Sequence, residues 1–149
     1  MTTPALSGRD IALAHNATRA VLETVLADLD VTFLQFVQLN VLADAGGAVR
    51  RDQLVKRLVD NLKIGTDDAN RAIESLVTAD LAAPSADEPG TIERTSFGTT
   101  IHSQIRAATN QIVATLYDGL PTEDLVVTQR ILATLTERAN RKLEHAGRP

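Results

Sequence analysis

The chain has no cysteine and no tryptophan, one methionine, and only four aromatic residues in 149: Phe33, Phe36, Phe97 and Tyr117. Without cysteine there is no disulfide, thiol nucleophile or thiolate metal site, and that count is neutral on compartment. With so few rings, the core must be aliphatic. No run of eighteen apolar residues occurs, and the first ten residues lack a basic segment followed by an apolar one. Neither a spanning helix nor a signal peptide is therefore expected, which predicts a cytoplasmic protein with no membrane partner. A glycine-rich phosphate loop, a nucleophile elbow and closely spaced metal-ligand histidines are also missing. His15, His102 and His145 lie far apart. The expectation is a protein that is not an enzyme and needs no cofactor or metal.

What is present suits a helical fold. An apolar content of 44% in 149 residues is enough for one domain with a real core. Residues 1–8 are small and polar, as a frayed end would be. Across residues 9–29, Leu13, Ala17, Val21, Val25 and Leu29 recur every four residues, widened by Ala14, Leu22 and Leu26. That stripe is broader than one neighbouring helix needs. It reads either as a subunit interface or as an ordinary internal helix. A second helix starts at Thr32, where Thr32 and Gln35 fit a capping box and Val31 and Phe36 a hydrophobic staple, and it stops at Gly46 and Gly47.

The central stretch, residues 54–95, reads as helix, turn, helix, hairpin. Leu54, Val55, Leu58, Val59 and Leu62 line one side of a helix over 52–62. Gly65 breaks it, and Thr66 is placed to cap the next, with Asp67 and Asp68 in the first turn where negative charge suits the helix dipole. Ala69, Ala72, Ile73, Leu76 and Val77 then fall on one buried stripe, leaving Asp67, Asn70, Arg71, Glu74, Ser75 and Thr78 outside. The turn-rich run 84–90, flanked by Leu81 to Ala83 and Thr91 to Arg94, suits a hairpin with a floppy tip. From Ser96 the pattern is helical again, up to Gly119, and a last helix begins near Pro121 with Leu125, Leu132, Leu135, Ala139 and Leu143 on one side.

At these residues the chain resembles the MarR family of bacterial transcriptional regulators. The points of likeness are Arg71 and Leu76 in the second helix of the helix-turn-helix, Leu81 after it, and the run Arg94, Thr95, Ser96, Phe97, Gly98 after the wing. Asp80 stands where the family pattern has Gly. The resemblance implies a mainly α fold with a small β-hairpin wing: one domain, with a winged helix-turn-helix over 31–95 and a helical dimerisation lobe formed by 9–29 and 96–145. It further implies a homodimer on double-stranded DNA, acting as a repressor at a pseudo-palindromic operator and released by a small aromatic or anionic effector.

Charge narrows where DNA would lie. The net charge is −4, which argues against indiscriminate binding to polyanions but leaves room for a local basic face. Residues 50–63 carry Arg50, Arg51, Lys56, Arg57 and Lys63 against Asp52 and Asp60. They read as phosphate contacts or as a plain solvated face. Residues 66–93 run the other way, with seven acids against Arg71. Arg71 and Asn70 can read guanine and adenine edges, with Asp67 or Glu74 accepting from cytosine; alternatively, the helix has lost DNA contact and the dimer works through a protein partner. The candidate DNA-binding set is Arg50, Arg51, Lys56, Lys63, Thr66, Asp67, Asn70, Arg71, Glu74, Ser75 and Arg94. The resemblance adds an effector crevice near His15, Arg19, Phe33, Phe36 and His102, and a dimer interface through Leu13, Ala17, Val21, Leu125, Leu132, Leu135 and Leu143.

Overall fold

A computed structural model describes residues 5–147. The chain divides into two compact units, residues 1–111 and 112–149. The first holds α1 (Gly8–Asp28), α2 (Phe33–Asp44), β1 (Ala48–Arg50), α3 (Arg51–Leu62), α4 (Thr66–Thr78), β2 (Ala82–Pro84), β3 (Thr91–Arg94) and the first part of α5 (Ser96–Tyr117). The second holds the end of α5 and α6 (Thr122–Ala146). Among the described residues, no helix is long and apolar enough to cross a membrane.

Caps set where the first two helices begin. Part of the expected frayed end, residues 1–4, lies outside the described residues, but Ser7 does not fray: it forms a capping box with Asp10 and starts α1. Hydrogen bonding to Ser7 holds the Asp10 carboxyl below the usual carboxylate range. The Thr32 box also forms, with Gln35 N donating to Thr32 Oγ1 at 3.1 Å and Thr32 N to Gln35 Oε1 at 3.0 Å. α2 ends as expected, where Gly47 N reaches back to Leu42 O at 2.7 Å and Gly46 takes φ +87°.

The helix-turn-helix forms with one correction at its turn. Lys63, not Gly65, takes the left-handed conformation that stops α3, at φ 57°. Gly65 is then extended and serves as the N-cap of α4, so Thr66 is the first helical residue and its hydroxyl caps nothing. The inner stripe of α4 is as read except at its end: Ala69, Ala72, Ile73 and Leu76 are buried, and Val77 is half-buried. They join Leu39 and Leu42 of α2, Leu54 and Leu58 of α3, Leu26 of α1 and Ile101 and Ile105 of α5 in one aliphatic core. The ends of α1 and the start of α5, expected in a dimerisation lobe, therefore also complete the core of the winged helix.

The wing is part of a three-stranded antiparallel sheet ordered β1-β3-β2, with Val49 opposite Ile92 and Ala83 opposite Glu93. β1 was not expected; Arg50 ends it, and α3 begins at Arg51, one residue before the expected 52. The tip is less loose than its composition suggests. Ser85 Oγ accepts from Asp87 N and Glu88 N, and Ser85 N donates to Thr91 O at 2.8 Å.

Two junction residues explain the spacing of the family-like run. Asp80, at the place of the family's Gly, has φ 60°, a left-handed conformation that Asp tolerates better than most side chains. Gly98 lies in the first turn of α5, where a Cβ would sit 1.9 Å from Leu81 O. Thr95 bridges the same corner, its hydroxyl donating to Asp80 O at 2.6 Å and accepting from Gly98 N at 2.9 Å. Because backbone cannot yield as a side-chain tip can, Gly98→Ala is expected to cost about 3 kcal/mol, at the upper end for overpacking. Denaturant unfolding measures it; a loss under about 0.5 kcal/mol, the scale of a neutral surface change, would show that this corner is not tight.

Candidate nucleic-acid interface

With its inner stripe buried, α4 presents Asp67, Arg71 and Glu74 outward, all exposed, and Asn70 half-buried on its flank. The cations of this surface are mostly paired with nearby acids. Arg71 bonds Asp68, Arg50 meets Asp52 at 3.3 Å, and Lys56 meets Asp60 at 2.6 Å. Lys63 Nζ donates to the Asp60 carbonyl. These pairs are exposed, so each is worth little in water and can be exchanged for a phosphate oxygen at small cost. Asp67 and Glu74 have no hydrogen-bond or ion-pair partner among the described residues.

Arg51 stands apart. Its Nη2 donates to Asn70 Oδ1 at 3.3 Å, and Asn70 Nδ2 donates to Thr66 O at 3.1 Å. Its backbone N–H bonds Gly90 O of the wing turn at 2.8 Å. Arg50, Arg51, Asp52, Val55, Asn70 and Gly90 line an open cleft of about 500 Å³ between the start of α3, α4 and the wing.

Two residues of the expected DNA-binding set have side-chain partners from other elements. The Ser75 hydroxyl accepts from Gln35 Nε2 of α2 at 3.0 Å. Arg94 turns its guanidinium inward, Nη1 donating to His102 Nδ1 at 3.2 Å, with Nε buried and unpaired. Local sequence gave no sign of either, because each depends on a partner from another element.

The expected effector residues come together only as two pairs. The Arg19 guanidinium lies 4.0 Å from the Phe33 ring centroid, a cation–π contact, and also pairs with Glu23 at 3.3 Å. Phe36 and His102 are 6.4 Å apart, ring centre to ring centre. His15 is exposed on α1. Both His102 nitrogens are engaged: Nδ1 accepts from Arg94, so the proton is on Nε2, which donates to Asn40 Oδ1 at 2.7 Å. This neutral ring ties α2, β3 and α5 together. Asn40 and the buried Gln38, whose Nε2 donates to Ala72 O at 3.0 Å, escaped the sequence reading; their only signal was polarity inside an apolar helix.

No protein-family model matches the sequence, and no curated protein matches it. Solved structures do. Ligand-free NadR has a TM-score of 0.71 at 17% identity, over 90% of this chain and 99% of that one. A mutant of MarR from E. coli complexed with operator DNA gives 0.69 at 19%, over 86% and 91%. The chain has the MarR-type winged-helix fold. Bordetella bronchiseptica BpsR, described with regulation of its DNA binding by 6-hydroxynicotinic acid, gives 0.69 at 21% identity, over 91% and 97%. In this MarR-type fold, α4 occupies the second position of the helix-turn-helix and β2–β3 form the wing.

The His102 bridge makes a pH prediction. Burial first, then the positive charges of Arg94 and Arg106, hold its pKa below the usual 6.5, while Asp44 opposes them. The unfolded chain therefore binds this proton at higher pH than the folded one. Stability from this site is fully present above about 6.5 and lost as pH falls below it, by at most about 1.4 kcal/mol per pH unit. Unfolding curves between pH 7 and 5 should show this slope, and His102→Gln should flatten it; identical slopes would remove His102 as the cause.

Proposed function

We propose that the chain is a sequence-specific DNA-binding transcriptional regulator, working as a homodimer and as a repressor on a pseudo-palindromic operator. The observation that carries this reading is the outward stripe of Asp67, Arg71 and Glu74 on a helix whose other side is sealed into the core. Arg71 offers two donors that suit guanine O6 and N7. The free carboxylates of Asp67 and Glu74 can accept from cytosine N4, because they have no cation to satisfy first. Arg50, Arg51, Lys56 and Lys63 supply phosphate contacts, which position the helix without reading bases.

Dimerisation is supported by what each chain leaves bare. No residue of α6 is buried, and Leu132, Leu135 and Leu143 are 39%, 40% and 54% exposed. Leu125 is half-buried, while Leu13, Ala17 and Val21 are exposed on α1. Aliphatic stripes of this extent are normally covered by another subunit. A two-fold dimer would present two α4 helices to half-sites about one helical turn apart. A small aromatic or anionic effector remains part of the reading. Arg19 stacked on Phe33 offers a cation beside an apolar ring, and BpsR is a fold neighbour whose DNA binding responds to 6-hydroxynicotinic acid.

One observation favours a second reading. The unpaired Asp67 and Glu74, with Asp87 and Glu88 exposed at the wing tip, repel phosphates. A winged-helix dimer that has lost operator recognition and acts through a protein partner would carry such a face.

Gel shifts on the DNA upstream of the chain's own gene separate the two. The regulator should retain a site with both half-sites much better than one half-site. Arg71→Ala should lose about 5- to 150-fold and relax base preference, equivalent to about 1–3 kcal/mol, while Lys56→Ala should weaken all sequences alike and lower the salt slope by about one. No retention of any duplex at low salt would favour the protein-partner reading.

A further inference from the structure

The cleft beside α4 assigns Asn70 a different task from its neighbours on the stripe. A bidentate contact to adenine uses both ends of the amide at once, the oxygen accepting from N6 and the nitrogen donating to N7. Here the two ends are already engaged within the protein, Oδ1 by Arg51 and Nδ2 by the Thr66 carbonyl. The amide orientation follows from the partners, since a guanidinium can only donate and a carbonyl can only accept. Both Asn70 and Arg51 are half-buried, unlike Arg50, Lys56, Lys63 and Arg71, which are exposed.

We propose that Asn70 is a positioning residue that holds the Arg51 guanidinium at the mouth of the cleft for a DNA phosphate, and does not itself read a base. Arg51 is fixed at two points. The backbone bond to Gly90 ties the start of α3 to the wing turn, and the side-chain bond ties it to α4. A guanidinium ordered before binding loses less side-chain freedom when it meets phosphate, and its remaining donors stay available in a planar fork. Arg50 lines the same cleft but is occupied by Asp52 at 3.3 Å. Arg51 has no acidic partner among the described residues. Like Lys63, which rests on a backbone carbonyl, it need not first give up a carboxylate, and unlike Lys63 it is half-buried and held by a side chain of α4. Base reading then falls to Asp67, Arg71 and Glu74.

This assignment rests on the DNA-binding reading, so wild-type binding to a duplex is measured first. Its absence would overturn that reading and this one together, before any variant is made. Where the wild type binds, affinities of Asn70→Ala, Arg51→Ala and the double variant are compared on a panel of half-sites differing one base pair at a time, in two salt concentrations. Asn70→Ala is expected to weaken every sequence by about three- to tenfold, the scale of one hydrogen bond, with the order of preference unchanged. Arg51→Ala should lower the salt slope by about one, and adding Asn70→Ala to it should change little further. If melting shows Asn70→Ala to be unfolded, Asn70→Ser, which keeps a short polar group, is expected to give the same pattern. A changed preference at a single base pair in the Asn70 variant, or losses from the two substitutions that multiply in full, would overturn the positioning role while leaving DNA binding intact.

Discussion

The sealed inner side of α4 is the constraint on which the other features depend. Ala69, Ala72, Ile73 and Leu76 are buried at three- and four-residue spacing, and rotating the helix would expose them. Two glutamines of α2 add direction to that packing. Gln38 Nε2 reaches the Ala72 carbonyl at 3.0 Å and Gln35 Nε2 the Ser75 hydroxyl at 3.0 Å, so α4 is fixed in rotation as well as in depth. The Gln38 bond is buried and so costly to break, because the freed groups have no water to turn to, while the Gln35 bond is only part-buried. Which residues face outward is thus a consequence of which cannot.

The electrostatics of that outward surface are those of a poised face more than a basic one. Lys56, Arg50 and Arg71 each rest on an acid three or four residues away, or two in the case of Arg50. Such contacts are weak in water, yet they lower the attraction to a generic polyanion. Under the proposed regulator reading, affinity for DNA would depend more on correct base contacts and less on charge alone, which fits a net charge of −4. Arg51 and Lys63 rest instead on neutral oxygens, one of a side-chain amide and one of a backbone carbonyl.

Much of this architecture was legible in the chain. The Thr32 and Gln35 box, the glycine stop of α2 and the α4 stripe follow from local rules, and all appear where those rules put them. What escaped was non-local or too short. β1 has three residues and exists only because β3 lies beside it. Lys63 stops α3 in a left-handed conformation that favours glycine, although a glycine stands two residues later at Gly65. Arg94 is drawn in by His102, and Ser75, though exposed, is engaged by Gln35. The likeness to the MarR fold was readable because its spacing survives at 16–21% identity, where no family model matches.

Hydrogen exchange of the protein with and without its upstream duplex tests most directly whether α4 meets DNA. Slowed exchange in Thr66–Thr78 and in the wing turn at 85–90, with α6 unchanged, is the expected result. Protection absent from α4 and the wing, in a sample where duplex is demonstrably bound, would contradict the assignment of this surface to DNA.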